Sequence, residues 1–109
     1  MATVRPAAVA GYFYPRDAKE LDASVQFYLT EAAAKQGVSA GPVPKAIIVP
    51  HAGYIYSGAT AASAYARLKP ARDKIKRVVM MGPCHRVAVQ GLALSGADAF
   101  STPLGKVPV

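Results

Sequence analysis

The sequence predicts an α/β chain, a mostly parallel sheet flanked by helices, on three observations. Two apolar runs, Ala46–Val49 and Val78–Met81, have the length of buried strands. An alanine-rich stretch of high helix propensity lies between them, and a helical stripe of apolar residues precedes both. Strand, helix and strand in that order make a βαβ unit; its crossover is almost always right-handed, so its two strands run parallel.

Each element follows in turn. Beyond Gly11-Tyr-Phe-Tyr-Pro15, Asp17 is placed to cap a helix with Glu20 three positions later, and Leu21, Val25, Tyr28, Leu29 and Ala32 share one helical face. Gly37 is expected to stop that helix, and residues 38–44, with glycine, serine and two prolines, to form a connector. Residues 45–49 then read as a strand buried on both faces and ended by Pro50. His51 to Gly58 reads as a loop, Ala59 to Leu68 as a helix closed by Pro70. Residues 77–81 give a second buried strand, Gly82-Pro-Cys-His-Arg86 a loop, and residues 91–95 a third strand.

Composition narrows the function classes. With 109 residues, 52% hydrophobic and 17% charged, the chain suits one globular domain. No apolar run approaches the roughly 20 residues that a membrane-spanning helix needs, so membrane insertion is not expected. The opening residues lack the basic, apolar and small-residue order of a secretory signal, which implies a cytoplasmic location. Cys84 is the single cysteine, so no internal disulfide can form. Of thirteen basic residues behind the net charge of +7, six fall between Arg67 and Arg77, in a solvated connector. Aromatic residues do not alternate with these charges, so nucleic acid is not an expected partner.

The candidate chemistry sits past the strand ends. Open parallel sheets bind ligands outside the carboxy ends of their strands, and His51 and His85 each follow such an end closely. Two imidazoles converging there can ligate iron, copper or zinc, or move protons near neutral pH. Two nitrogens do not complete a metal site, and the local candidates for a further ligand are Cys84, Tyr54, Tyr56 and Asp98, none at a diagnostic spacing. The plainer alternative has both histidines bonding to loop backbone. Gly53 and Gly58 are positioned to let a substrate approach the backbone, and Ser57 to cap the next helix and turn its amino end toward the pocket. Tyr54, ahead of Tyr56, is a candidate hydrogen-bond donor to substrate, with ring packing beneath the loop as the alternative. Arg86 offers a planar fork for a carboxylate or phosphate, or else an ion pair with an acidic loop residue. Cys84 is expected to pack or line the pocket, because adjacent residues in an extended loop point in opposite directions.

Four ordered motifs carry a family resemblance: Arg5-Pro-Ala-Ala-Val-Ala-Gly-Tyr-Phe-Tyr-Pro15, Pro50-His-Ala-Gly-Tyr-Ile-Tyr-Ser-Gly58, Gly82-Pro-Cys-His-Arg86 and Ser101-Thr-Pro-Leu-Gly105. Together they resemble the Memo family, of the AmmeMemoRadiSam system protein B type, over essentially the whole chain. The resemblance implies a fold similar to the iron-dependent class III extradiol dioxygenases, with residues 1–109 as the amino-terminal portion of one incomplete domain. It also implies that His51 and His85 are two pocket histidines, acting as metal ligands and in catalysis, while further histidine, aspartate and cysteine positions lie in later segments. Cys84 stands where the family often has serine or asparagine, and Arg86 at a position that varies.

The implied activity is that of a metal-dependent oxidoreductase, with iron, and copper as its rival, holding a small dihydroxylated aromatic and oxygen while a histidine moves a proton. Animal members are linked to metal-dependent redox chemistry and to phosphorylated receptor peptides; microbial members are grouped with radical-SAM partners. The rival reading is therefore a non-catalytic module for phosphorylated or acidic peptides, with Arg86 and a helix amino end at the rim. A third is a fragment that does not fold alone, its sheet being poorly covered on one face.

Overall fold

The computed structural model describes residues 1–36 and 41–109, so the expected helix stop at Gly37 lies outside the described residues. Asp17 begins the order. Its carboxylate accepts the Glu20 N–H at 3.0 Å and satisfies one of the free donors of helix α1, Ala18–Gln36. The apolar face is the one read from spacing: Leu21 and Ala32 are buried, and Val25, Tyr28 and Leu29 partly so. That face packs on α2, Tyr54–Tyr65, and Gln36 at the far end donates to the Ser63 carbonyl at 2.6 Å.

Helix α2 begins five residues before the expected Ala59. Its N-cap is Gly53, with no side-chain cap, and the Tyr54 N–H instead donates to the Phe13 carbonyl at 2.8 Å. A tertiary contact thus supplies the acceptor that local sequence lacks, and the helix extends back through Ile55 and Tyr56. Phe13 lies in a turn in which the Gly11 N–H donates to the Tyr14 carbonyl at 2.7 Å, and Gly11 there takes φ 85°, a conformation suited to glycine. The other end of α2 gives way to a 3₁₀ turn over Ala66–Ala71 that contains Pro70. The change begins four residues before the proline, where its ring would clash with the carbonyl of an α-helix.

The hydrogen-bonded sheet is small and mixed. Strand β1, Val4–Arg5, pairs in parallel with β2, Ala99–Thr102, and β2 pairs antiparallel with β3, Gly105–Pro108. Thr102 stabilises the β2–β3 turn: its hydroxyl donates to the Gly105 carbonyl at 2.8 Å and accepts the Leu104 N–H at 3.1 Å. The Arg5 guanidinium lies 5.2 Å from the centre of the Phe100 ring across the parallel pair, and Asp98 accepts the Thr3 N–H at 2.7 Å.

This corrects the expected mostly parallel sheet. Residues 45–49, 77–81 and 91–95 join no strand ladder, and their apolar side chains are largely exposed: Ile48 by 99%, Val79 by 90% and Leu94 by 96%. A parallel strand is stable only with partners at its edges and cover on both faces, and neither surrounds these segments. Among the described residues the buried apolar side chains are Leu21 and four alanines, Ala10, Ala32, Ala62 and Ala71. The radius of gyration, 15.3 Å, exceeds the roughly 13 Å of a compact domain of this length. Between α1, α2 and the unladdered segments lies an apolar cleft of 1260 Å³. Among the described residues no helix is long and apolar enough to cross a membrane.

Candidate functional site

His51 occupies the short link between Pro50 and the start of α2, and His85 the loop after residues 77–81. The two rings meet. Their Nε2 atoms are 3.1 Å apart, with ring centres 5.2 Å apart and planes inclined by 41°. As a hydrogen bond, this contact requires one Nε2 to carry a proton and the other to present its lone pair. The same span can be set against that between two ligands of one ion. With metal–imidazole bonds of about 2.0–2.1 Å, neighbouring ligands subtend about 2.9 Å at a right angle and about 3.4 Å at a tetrahedral angle. The observed span falls between those limits.

The donor set is partial. Among the described residues no group of three or more histidine, cysteine, aspartate or glutamate side chains could hold a metal. Asp98 is occupied at the sheet by Thr3, and Cys84 is a free, exposed thiol. The expectation that Cys84 lines the pocket is corrected: Gly82 and Pro83 border the cleft, and Cys84 does not. Its loop has no layer over it, so nothing encloses the sulfur.

The Tyr54 ring packs among other tyrosines, which leaves its hydroxyl a candidate donor. Its ring centre is 5.8 Å from that of Tyr14 and 6.2 Å from that of Tyr28, the latter edge to face. Its hydroxyl pKa is raised, first by burial and then by the Tyr14 and Tyr65 hydroxyls, so at neutral pH it is a phenol able to donate. Tyr54 also borders the cleft, whereas Tyr56 is exposed by 81%. Arg86 is exposed beside His85, and the expected alternative of an ion pair with an acidic loop residue is not seen among the described residues.

Two further expectations change. The glycines do not open the backbone to a substrate. A Cβ on Gly58 would lie 2.8 Å from Cε2 of Tyr28, and one on Gly53 would lie 3.5 Å from the Phe13 carbonyl oxygen. Gly58 therefore lets the Tyr28 ring of α1 rest against α2, and both glycines face protein. Ser57 is not the cap; it lies within α2 and is buried, and its Oγ accepts the Ala52 N–H at 3.0 Å. Sequence reading missed this back-bond because it began the helix too late. The signal was a small polar residue six positions after a candidate ligand.

Comparison with known proteins concerns the chain as a whole. The profile described as Memo-like protein matches residues 5–109. A MEMO1 family protein of Aquifex aeolicus is 41% identical over 106 residues, covering 97% of this chain and 36% of the relative. Protein MEMO1 of Danio rerio is 42% identical over 100 residues, covering 92% of this chain and 31% of its own length. The MEMO1 family protein MHO1 of Saccharomyces cerevisiae is 37% identical over 110 residues, covering 98% and 31% respectively. The chain thus spans about a third of the length of these curated relatives.

Proposed function

The chain belongs to the Memo-like family, and from that premise we propose that it carries two ligands, His51 and His85, of a metal-binding, dioxygenase-like pocket in an oxidoreductase. The observation that supports this reading is the 3.1 Å approach of the two Nε2 atoms, a span that suits adjacent ligands of one ion. Residues 1–109 would then be the amino-terminal portion of one extradiol-dioxygenase-like domain, with the remaining ligands supplied by the part of the fold that the relatives carry beyond this span. Iron is the proposed metal and copper its rival, since imidazole suits both.

When bound, such a metal would supply Lewis acidity and a template for a dihydroxylated aromatic and oxygen. The chain's own residues do the rest. His51 and His85 would each present an Nε2 lone pair to the metal, the proton that lies between their facing nitrogens without it being carried on Nδ1 of its ring instead. Tyr54, a phenol at neutral pH, donates toward a substrate oxygen at the cleft edge. The cleft, bordered by Val25, Leu29, Ile48 and Met81, favours an aromatic ring over a charged one.

Elemental analysis of the protein at its natural length, wild type against a His51→Ala, His85→Ala double variant, tests this. Near-stoichiometric iron or copper that disappears in the variant is the expected result; no metal in either protein would refute it.

One observation favours a second reading, a module for phosphorylated or acidic peptides. Arg86 is exposed beside His85 with no ion pair among the described residues, leaving a planar fork available to an anion. Under that reading Arg86→Ala abolishes binding of a phosphotyrosine peptide, whereas the double histidine variant retains it.

A further inference from the structure

We infer that the Ser57 hydroxyl is the positioning group for His51: its hydrogen bond to the Ala52 amide sets the direction in which the His51 imidazole faces His85. The inference deepens the proposed metal-site reading and rests on it for its functional weight.

Three observations meet at this serine. Among the described residues it is the one buried polar residue, 6% exposed, the others buried being Leu21 and four alanines. Its Oγ does not bond back along the helix to a carbonyl, as Ser63 does to that of Ala59. It reaches past the helix start and accepts the N–H of Ala52, five residues earlier, at 3.0 Å. Helix starts usually secure their own first-turn donors; here the helix uses a side chain to hold the residue before its cap.

That residue is the neighbour of His51. Pro50, on the other side, has its own φ locked by its ring. The Ala52 amide, held by Ser57, orients the peptide plane that leaves His51. The start of α2 is itself tied down, because the Tyr54 N–H donates to the Phe13 carbonyl and the Ser57 N–H to that of Gly53 at 2.9 Å. His51 thus sits next to a link that the start of α2 holds, although its ring is exposed. An exposed ring on a loose link would spread over several rotamers; here it meets His85 at 3.1 Å. Groups that orient a ligand in this way commonly change metal affinity by about 10- to 100-fold when removed.

The test compares wild type, Ser57→Ala, Ser57→Thr and His51→Ala in the protein at its natural length. Far-UV circular dichroism confirms that each is folded, and Ser57→Cys, which keeps the size but weakens the acceptor, replaces Ser57→Ala if the latter does not fold. Nitrogen-15 spectra of the imidazoles read the metal-free state. We expect one tautomer at His51 in wild type, a mixture in Ser57→Ala, and restoration in Ser57→Thr. Titration with Fe(II) alone under anaerobic conditions reads the second consequence, a loss of about tenfold in affinity in Ser57→Ala, again restored by threonine. His51 signals in Ser57→Ala that match wild type overturn the inference, whether or not iron binds. Iron binding that survives His51→Ala refutes instead the metal-site reading, and the ring signals still decide the role of Ser57.

Discussion

The helix pair and the histidine-bearing segments are held by different means. Helices α1 and α2 carry their backbone bonds within themselves and bury Leu21, Ala32 and Ala62 against each other. Residues 45–49 and 77–81, equally apolar, carry no ladder and hold Ile48, Val78 and Met80 at least 77% exposed. A helix closes its hydrogen bonds locally and needs one partner surface, whereas a parallel strand needs neighbours on two edges and cover on two faces. Hydrophobicity alone therefore does not place a segment in a core. The candidate site lies where the two regions meet, with His51 tied to the helix pair and His85 carried on the open side.

Substitutions should separate the regions by size of effect. Leu21→Ala removes the largest buried side chain among the described residues and should destabilise residues 1–109 by about 2–3 kcal/mol, the lower part of the usual range because none of those side chains is fully enclosed. Urea unfolding followed by circular dichroism measures it, and a loss under about 1 kcal/mol would dissolve the contrast. Asp17→Ala removes the cap of α1 and should cost about 1 kcal/mol by the same assay. Val79→Ser, in the open region, should change stability by less than about 0.5 kcal/mol. A larger loss would mean that residues 77–81 pack more tightly than their exposure indicates.

Tyr54 sharpens the comparison through pH. Its pKa in the folded chain is raised above the ordinary 10.0, so folding favours the neutral phenol. That stabilisation is fully present below about pH 10 and is lost as pH rises through the folded value. Tyr54→Phe should therefore flatten the alkaline fall in unfolding free energy; a slope identical to wild type would show that burial of this hydroxyl is not felt.

Legibility in the sequence followed the same division. The Asp17 cap and the Leu21, Val25, Tyr28, Leu29 and Ala32 face could be read because helix spacing and capping are local. The approach of His51 to His85 was also expected, although from a parallel ladder that does not form. The β1–β2 pairing links residues about 95 positions apart and leaves no local signal, and the early start of α2 depends on a carbonyl at Phe13, distant in sequence. Ser57 was misread for that reason.

X-ray absorption at the iron edge, on the protein at its natural length loaded with Fe(II), tests most directly whether His51 and His85 are two ligands of one metal. The predicted spectrum shows imidazole scattering from at least two rings, reduced by one ring in His51→Ala and by one in His85→Ala. Scattering from oxygen ligands alone, unchanged by either substitution, would contradict it and leave the 3.1 Å contact as a hydrogen bond between two loops.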